Sequence, residues 1–219
     1  MRLTLKASRV LKVYNGQQVL KDCSFAFAGG RAYTLQGPNG SGKSTLFRIL
    51  ALLERPDAGE VRYFKNGQIV NDDLALRRKI TLMLPRLGVF NTTVFSNVAY
   101  GLKLRGLAKG EIEEKVEEML HMVGLAEKRR QKALELSSGE TKRLGLARAL
   151  VIDPEVIFLD EPTASLDPLS TEIIEEIILK IKSQGKSTII MITHDPGQAQ
   201  RLGDHLLFMD NGKILAKGV

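Results

Sequence analysis

The sequence predicts an α/β fold: a mostly parallel sheet, antiparallel hairpins at its edge, and a helical subdomain inserted between two core strands. Three observations carry this expectation. Short apolar runs at residues 31–36, 80–84, 156–160 and 187–193 lie beside helical patterns, which is how strands buried on both faces of a parallel sheet read. Asn-Gly pairs at 15–16, 66–67 and 211–212 each separate a pair of strand-like runs, a strong signal for a tight hairpin. The stretch from about 87 to 151 is mostly helical in pattern and falls between two of the core strands.

Taken in order, the first hairpin joins residues 10–14 to 19–27. The second joins 61–65 to 68–70, and the third 205–210 to 213–217. Ile112, Val116, Met119, Leu120 and Val123 form one apolar helix stripe. Leu169, Ile173, Ile174, Ile177, Ile178 and Ile181 form another. The chain is read as one domain over 1–219, with a core from 1–86 and 152–219 and the helical subdomain at 87–151.

Composition narrows the function classes. Of 219 residues, 43% are hydrophobic, enough for a sizeable core. No apolar run approaches the roughly 18 residues that span a bilayer, and the N-terminus does not read as a signal peptide. A cytosolic protein is expected. Cys23 is the single cysteine, so no intrachain disulfide or cysteine metal cluster can form, and it reads as a small buried hydrophobe. The net charge of +7 comes from basic residues spread along the chain. Their densest cluster, Lys128, Arg129, Arg130 and Lys132, has no aromatic for base stacking, so no nucleic-acid partner is expected.

The chemistry begins at Gly37-Pro38-Asn39-Gly40-Ser41-Gly42-Lys43-Ser44-Thr45, which follows a strand pattern and opens a helix pattern at 46–53. That is the context of a phosphate-binding loop. Its glycines let backbone N–H groups turn inward, and the helix N-terminus favours negative charge. Lys43 is placed to reach the β- and γ-phosphates and Ser44 to ligate Mg²⁺. A second motif, the strand 156–160 followed by Glu161, ends in two carboxylates at the end of a strand where ligands bind. Asp160 can hold Mg²⁺ through water, and Glu161 can act as general base on the attacking water. A third, Leu136-Ser137-Ser138-Gly139-Glu140, reads locally as a serine N-cap before a helix at 141–150.

Together these motifs resemble the ATP-binding cassette (ABC) ATPases, whose signature has the form Leu-Ser-Gly-Gly-Gln with a following Arg-Ala-Leu, here Arg148-Ala149-Leu150. The resemblance runs from about residue 3 to 218. It implies that Ser137 and Gly139 bind the ATP held by the phosphate loop of a second copy of the chain. It places Tyr14 on adenine, Asp167 of Ser165-Leu166-Asp167 at the crossing between copies, and His194 of Thr193-His194-Asp195 on the γ-phosphate. One departure is Pro85, standing where the family places a glutamine that ligates Mg²⁺ and senses the membrane partner.

The implied function is ATP binding and hydrolysis, with ATP and Mg²⁺ as ligands, energising a membrane importer. The implied partners are a second copy, separate transmembrane permease subunits and an extracytoplasmic substrate-binding protein, with the chain peripheral on the inner membrane face. Residues 90–102 resemble cassettes of oxyanion importers of the tungstate type. Two other readings stay open here: a non-transport ABC ATPase, and an ATP-binding switch with little turnover.

Overall fold

The computed structural model describes residues 2–216, so the end of the third hairpin at 217 lies outside the described residues. It divides into two compact units. One comprises the chain up to Leu82, Glu155–Glu161 and the chain from Ile181; the other comprises Met83–Pro154 and Pro162–Lys180.

The first unit is built on two sheets. In one, β1 (Thr4–Tyr14), β2 (Gln17–Phe27), β4 (Ala58–Lys65) and β5 (Gln68–Val70) run in the order β2-β1-β4-β5, antiparallel throughout. Asn15-Gly16 and Asn66-Gly67 make its turns, with φ of 48° and 79°, and 56° and 76°, as two-residue hairpins require. The other has six strands in the order β10-β9-β3-β8-β7-β6, drawn from β3 (Ala32–Gln36), β6 (Ile80–Met83), β7 (Val156–Asp160), β8 (Thr188–Ile192), β9 (His205–Asp210) and β10 (Lys213–Ala216). The four strands β9, β3, β8 and β7 are parallel, and β10 folds back antiparallel on β9.

The hairpins are thus less alike than the sequence implies. The first two belong to a separate sheet, closed by pairing β1 with β4 from Thr4↔Phe64 to Leu11↔Ala58. The third adds its first strand in parallel to β3, and its second, β10, folds back as an antiparallel edge. A turn motif specifies its own two strands and carries nothing about which third strand they meet.

Between the sheets lies α1 (Lys43–Leu50), burying Leu46, Phe47, Ile49 and Leu50. Alternate residues of the parallel strands share this core: Tyr33 and Leu35, Val156 and Phe158, Ile190 and Ile192, Leu207 and Met209. Phe47 meets Phe158 edge-on at 5.2 Å between centroids. Cys23 is fully buried, its thiol donating to the Gly212 carbonyl at 3.0 Å. The helix starts and stops earlier than the 46–53 apolar pattern predicts. Gly42 in a left-handed conformation begins it at Lys43, and Leu52, at φ 59°, ends it by turning the chain so that the Leu53 and Glu54 N–H groups both bond the Arg48 carbonyl.

A short α2 (Leu74–Arg77) joins β5 to β6, after which the chain enters the second unit, which is helical. α3 (Val94–Leu104), α4 (Lys109–Met122) and α5 (Ser138–Leu150) pack on one another, presenting Val98 and Leu102, Ile112, Val116 and Leu120, and Leu144 and Ala147 as buried faces. α5 begins three residues before the expected 141, because Ser137 and Glu140 cap it reciprocally. α6 (Pro168–Gln184) starts in this unit, and its last residues fall in the first.

Tyr63 ties the two layers of the first unit: its buried hydroxyl donates to the Leu50 carbonyl at the end of α1, at 2.7 Å. Tyr63→Phe strands that carbonyl without a partner and is expected to cost about 1–3 kcal/mol. Urea unfolding should show a lower midpoint at unchanged slope; an unmoved midpoint would show that the bond contributes nothing net.

Candidate functional site

The site is set by register. Leu35 of β3 pairs with Ile192 of β8, and Ile192 pairs with Asp160 of β7. The three parallel strands therefore end level, and their continuations emerge along one edge: the loop from Gly37, Glu161, and Thr193-His194.

The loop 37–42 is pressed from outside by backbone. At Gly37 (φ 144°) an added Cβ would lie 2.0 Å from the Met209 carbonyl oxygen, and at Gly42 (φ 102°) 2.8 Å from that of Val19. Only glycine fits both the dihedrals and the space. The third hairpin also props the loop, since the Gly212 N–H donates to the Ser41 carbonyl at 3.1 Å. Within the loop the Ser41 N–H donates to the Pro38 carbonyl at 3.3 Å, while Asn39 and Gly40 form the exposed tip. Lys43 is buried and curls back, its ammonium donating to the carbonyls of Gly37 at 2.9 Å and Pro38 at 2.8 Å. Burial pulls its pKa down, with the charges of Glu161 and Asp160 opposing. Thr45 is buried one residue beyond Ser44 and accepts a hydrogen bond from Arg48 at 3.3 Å.

Asp160 is 1% exposed, and its Oδ1 has no hydrogen-bond partner. Burial pushes its carboxyl up, against a hydrogen bond with Ser44 and the charge of Lys43. A buried carboxylate oxygen left unpaired beside a serine hydroxyl at a phosphate loop is a donor set that fits a hard divalent cation such as Mg²⁺. Glu161 comes next at φ 50°, a strained turn that sends its carboxylate along the sheet edge, where Oε1 lies 2.9 Å from His194 Nε2. Thr193 and Asp195 hold the segment: the Thr193 N–H donates to the Leu35 carbonyl at 3.4 Å, and Asp195 caps α7 (Pro196–Leu202) through Gly197 and Gln198.

Tyr14, at the tip of the β1–β2 hairpin, is 36% exposed, and its hydroxyl is bonded to the Glu54 carboxylate. The remaining predicted residues sit in the second unit. Ser137 Oγ accepts from the Glu140 N–H at 3.3 Å, while the Glu140 carboxylate accepts the Ser137 N–H at 3.0 Å and pairs with Lys128 at 2.6 Å. Gly139 packs against Ser170, where a Cβ would lie 2.4 Å from the hydroxyl oxygen. Ser170 in turn donates through N–H and hydroxyl to Asp167 at 2.9 and 2.7 Å, holding that carboxyl below its usual range. Pro85 presents its carbonyl to Lys142 at 2.6 Å.

The structure therefore gathers the loop, Asp160, Glu161 and His194 on one sheet edge, and Ser137, Gly139 and Asp167 in one cluster of the helical unit. Sequence reasoning missed Glu54, Arg48 and Ser170, and, although the Asn211-Gly212 pair marks a turn, it missed the contact of Gly212 with the phosphate loop; the Tyr14–Glu54 and Gly212–Ser41 contacts join stretches remote in sequence.

A phosphate loop, paired strand-end carboxylates and a strand-end histidine on a parallel sheet define a nucleoside-triphosphate-binding protein of the phosphate-loop class. A family model described as ABC transporter matches residues 20–164, two thirds of the chain, and the chain belongs to the ABC transporter family. It is an ATP-binding subunit of the ABC ATPase type. It is 40% identical over 212 residues, 97% of each chain, to the tungstate uptake system ATP-binding protein TupC of Peptoclostridium acidaminophilum. It is also 40% identical over 210 residues to the methionine import ATP-binding protein MetN 1 of Listeria monocytogenes, covering 93% of this chain and 62% of that protein's length.

Two solved structures share the fold. One is cbiO1 of Clostridium perfringens, part of the ABC transporter complex cbiONQ, at a TM-score of 0.86 and 28% identity, covering 100% of this chain and 89% of that one. The other is the ATP-binding cassette MJ0796, dimeric in a post-hydrolysis state with ADP and Pi, at 0.85 and 26%, covering 98% and 100%. Among the described residues, no helix is long and apolar enough to cross a membrane.

The raised Asp160 pKa has a consequence in the nucleotide-free protein. Unfolded, this carboxyl ionises near pH 4; folded, it ionises higher, so stability falls as pH rises through that interval. Asp160→Asn should unfold at higher urea concentration than the parent at about pH 7, an advantage that disappears near pH 4. An equal offset at both pH values would exclude the ionised carboxylate as the cause.

Proposed function

We propose that the chain is the ATP-hydrolysing motor of a membrane importer, working as a pair of copies on the cytoplasmic face against separate permease subunits. The observation that carries this is the level register of β3, β8 and β7, which sets Lys43, Asp160, Glu161 and His194 along one edge. In this reading Lys43 exchanges the Gly37 and Pro38 carbonyls for β- and γ-phosphate oxygens, replacing two carbonyl dipoles with full negative charge. Loop N–H groups of Gly37–Thr45 hold the phosphates, and the Tyr14 ring takes the adenine. Ser44 and Asp160 would hold Mg²⁺, which would neutralise phosphate charge; Pro85 offers no side-chain ligand to it.

Glu161 accepts the proton of the attacking water. His194, in contact with Glu161 Oε1, orients that carboxylate and reaches the γ-phosphate. Ser137, Gly139 and Asp167 serve the nucleotide of the second copy, the helical stretch 87–151 acting as the signature subdomain of a single cassette. The capped N-terminus of α5 suits this, since it presents backbone N–H groups and a positive helix dipole. The likeness to TupC supports an oxyanion as cargo, delivered by an extracytoplasmic substrate-binding protein.

Glu161→Gln is expected to retain ATP binding while slowing hydrolysis by about 10²–10⁴-fold. Trapped Mg-ATP should then shift the variant from monomer to dimer by light scattering, and a variant that stays monomeric at high protein concentration sinks the paired-copy reading. Cargo is tested separately, in the complex reconstituted with its permease and binding protein: tungstate should stimulate ATP hydrolysis and methionine should not. Stimulation by methionine alone would reverse the assignment.

A further inference from the structure

The hydroxyl of Tyr14 is not left to solvent. Although the ring is more than a third exposed, its O–H is bonded to Glu54 on the loop after α1. Glu54 is an unusually occupied acceptor. Its Oε1 also takes the Lys12 ammonium at 3.2 Å, and its Oε2 takes Arg48 Nε at 3.4 Å. The backbone puts it there: the reversal at Leu52 returns the Glu54 N–H to the Arg48 carbonyl at 3.2 Å. Arg48 then reaches Thr45 Oγ1 at 3.3 Å, beside Ser44. On the other side Lys12 bonds the Arg55 carbonyl and Asp57, and Asp57 accepts the Val13 N–H at 2.7 Å.

A continuous polar chain thus runs from the hairpin tip to the phosphate-loop helix: Tyr14, Glu54, Arg48, Thr45. Each link is a direct hydrogen bond or ion pair, so the ring is held by its hydroxyl; the Lys12 ammonium lies 5.4 Å from the ring centroid over one face, and the opposite face remains for a base. Lysine and arginine both press on Glu54, and with the Tyr14 hydroxyl they hold its carboxyl below the ordinary range despite the cost of burial, so it stays an acceptor.

We propose that Glu54 is a positioning residue for base recognition, fixing the Tyr14 ring through its hydroxyl and tying that ring to the helix that carries Lys43 and Ser44. The proposal rests on the reading of Tyr14 as the adenine contact. Base and triphosphate are then measured against one rigid frame, and a nucleotide loses less freedom on binding than it would to a loose hairpin tip.

The test separates base from phosphate. Isothermal titration of the full chain with Mg-ATP and with inorganic triphosphate is run on Tyr14→Phe, Glu54→Ala, their double variant, Glu54→Gln and Tyr14→Ala. Glu54→Ala and Tyr14→Phe should each weaken ATP by about fivefold, as loss of one such hydrogen bond implies. The double variant should be no weaker than either single, and triphosphate affinity should hold in all. Glu54→Gln, which still accepts a hydrogen bond, should lose less than Glu54→Ala. Equal loss of ATP and triphosphate in Glu54→Ala would mean a structural role through Arg48 and would overturn the proposal. So would additive losses in the double variant, or unchanged ATP affinity in Glu54→Ala while Tyr14→Ala is weakened. If Tyr14→Ala itself binds ATP normally, the adenine reading fails and the proposal falls with it.

Discussion

Everything chemical in this protein depends on three parallel strands ending at the same level. Because Leu35, Ile192 and Asp160 are register partners, the residues just beyond them are neighbours, although the first lies more than a hundred positions from the other two in the chain. Parallel pairing is indispensable. Had β8 run antiparallel to β3, His194 would emerge at the opposite end of the sheet from Lys43. The parallel arrangement in turn needs both faces covered, and the continuous burial of Val156–Asp160 and Thr188–Ile192 is the sequence-level counterpart of that need.

The same edge concentrates groups left short of partners. Asp160 holds a carboxylate oxygen in the interior with nothing to pair it, Ser41 buries a hydroxyl without a partner, and Lys43 satisfies a buried ammonium on two loop carbonyls. Each arrangement disfavours the free protein, and in the proposed function a phosphate-bearing ligand relieves it. In that reading nucleotide binding gains affinity from contacts that the free state leaves unmade, as expected of a site that gives up local stability for function.

The signature cluster follows a different logic. Ser137 and Glu140 satisfy one another's backbone N–H groups, and Lys128 pairs the glutamate charge. A glutamate at this position would otherwise set a free negative charge beside the helix end proposed to meet a nucleotide; the lysine offsets it. Gly139 is small because Ser170 stands against it, and that serine holds Asp167. The cluster is thus a packed, internally bonded piece of the helical unit.

Much of this was legible in the sequence because it is local. The phosphate loop lies between a strand and a helix in one short run, Gly37–Thr45. Asp160 and Glu161 end a strand that reads as buried, and three Asn-Gly pairs mark three hairpins with φ values that only such residues adopt readily. Periodicity located the helices, missing their ends where capping by Gly42 and Ser137 prevailed over apolar spacing. What the tertiary structure alone decided is long-range. It placed the first two hairpins in a separate sheet and the third beside β3, wedged Met209 and Gly212 against the phosphate loop, and joined Tyr14 to Glu54 across forty residues. Strand order, register between distant segments and pairing of remote charges are properties of contacts between separate stretches of the chain. A sequence motif records the geometry of its own few residues and nothing of the neighbour that packing will bring to it.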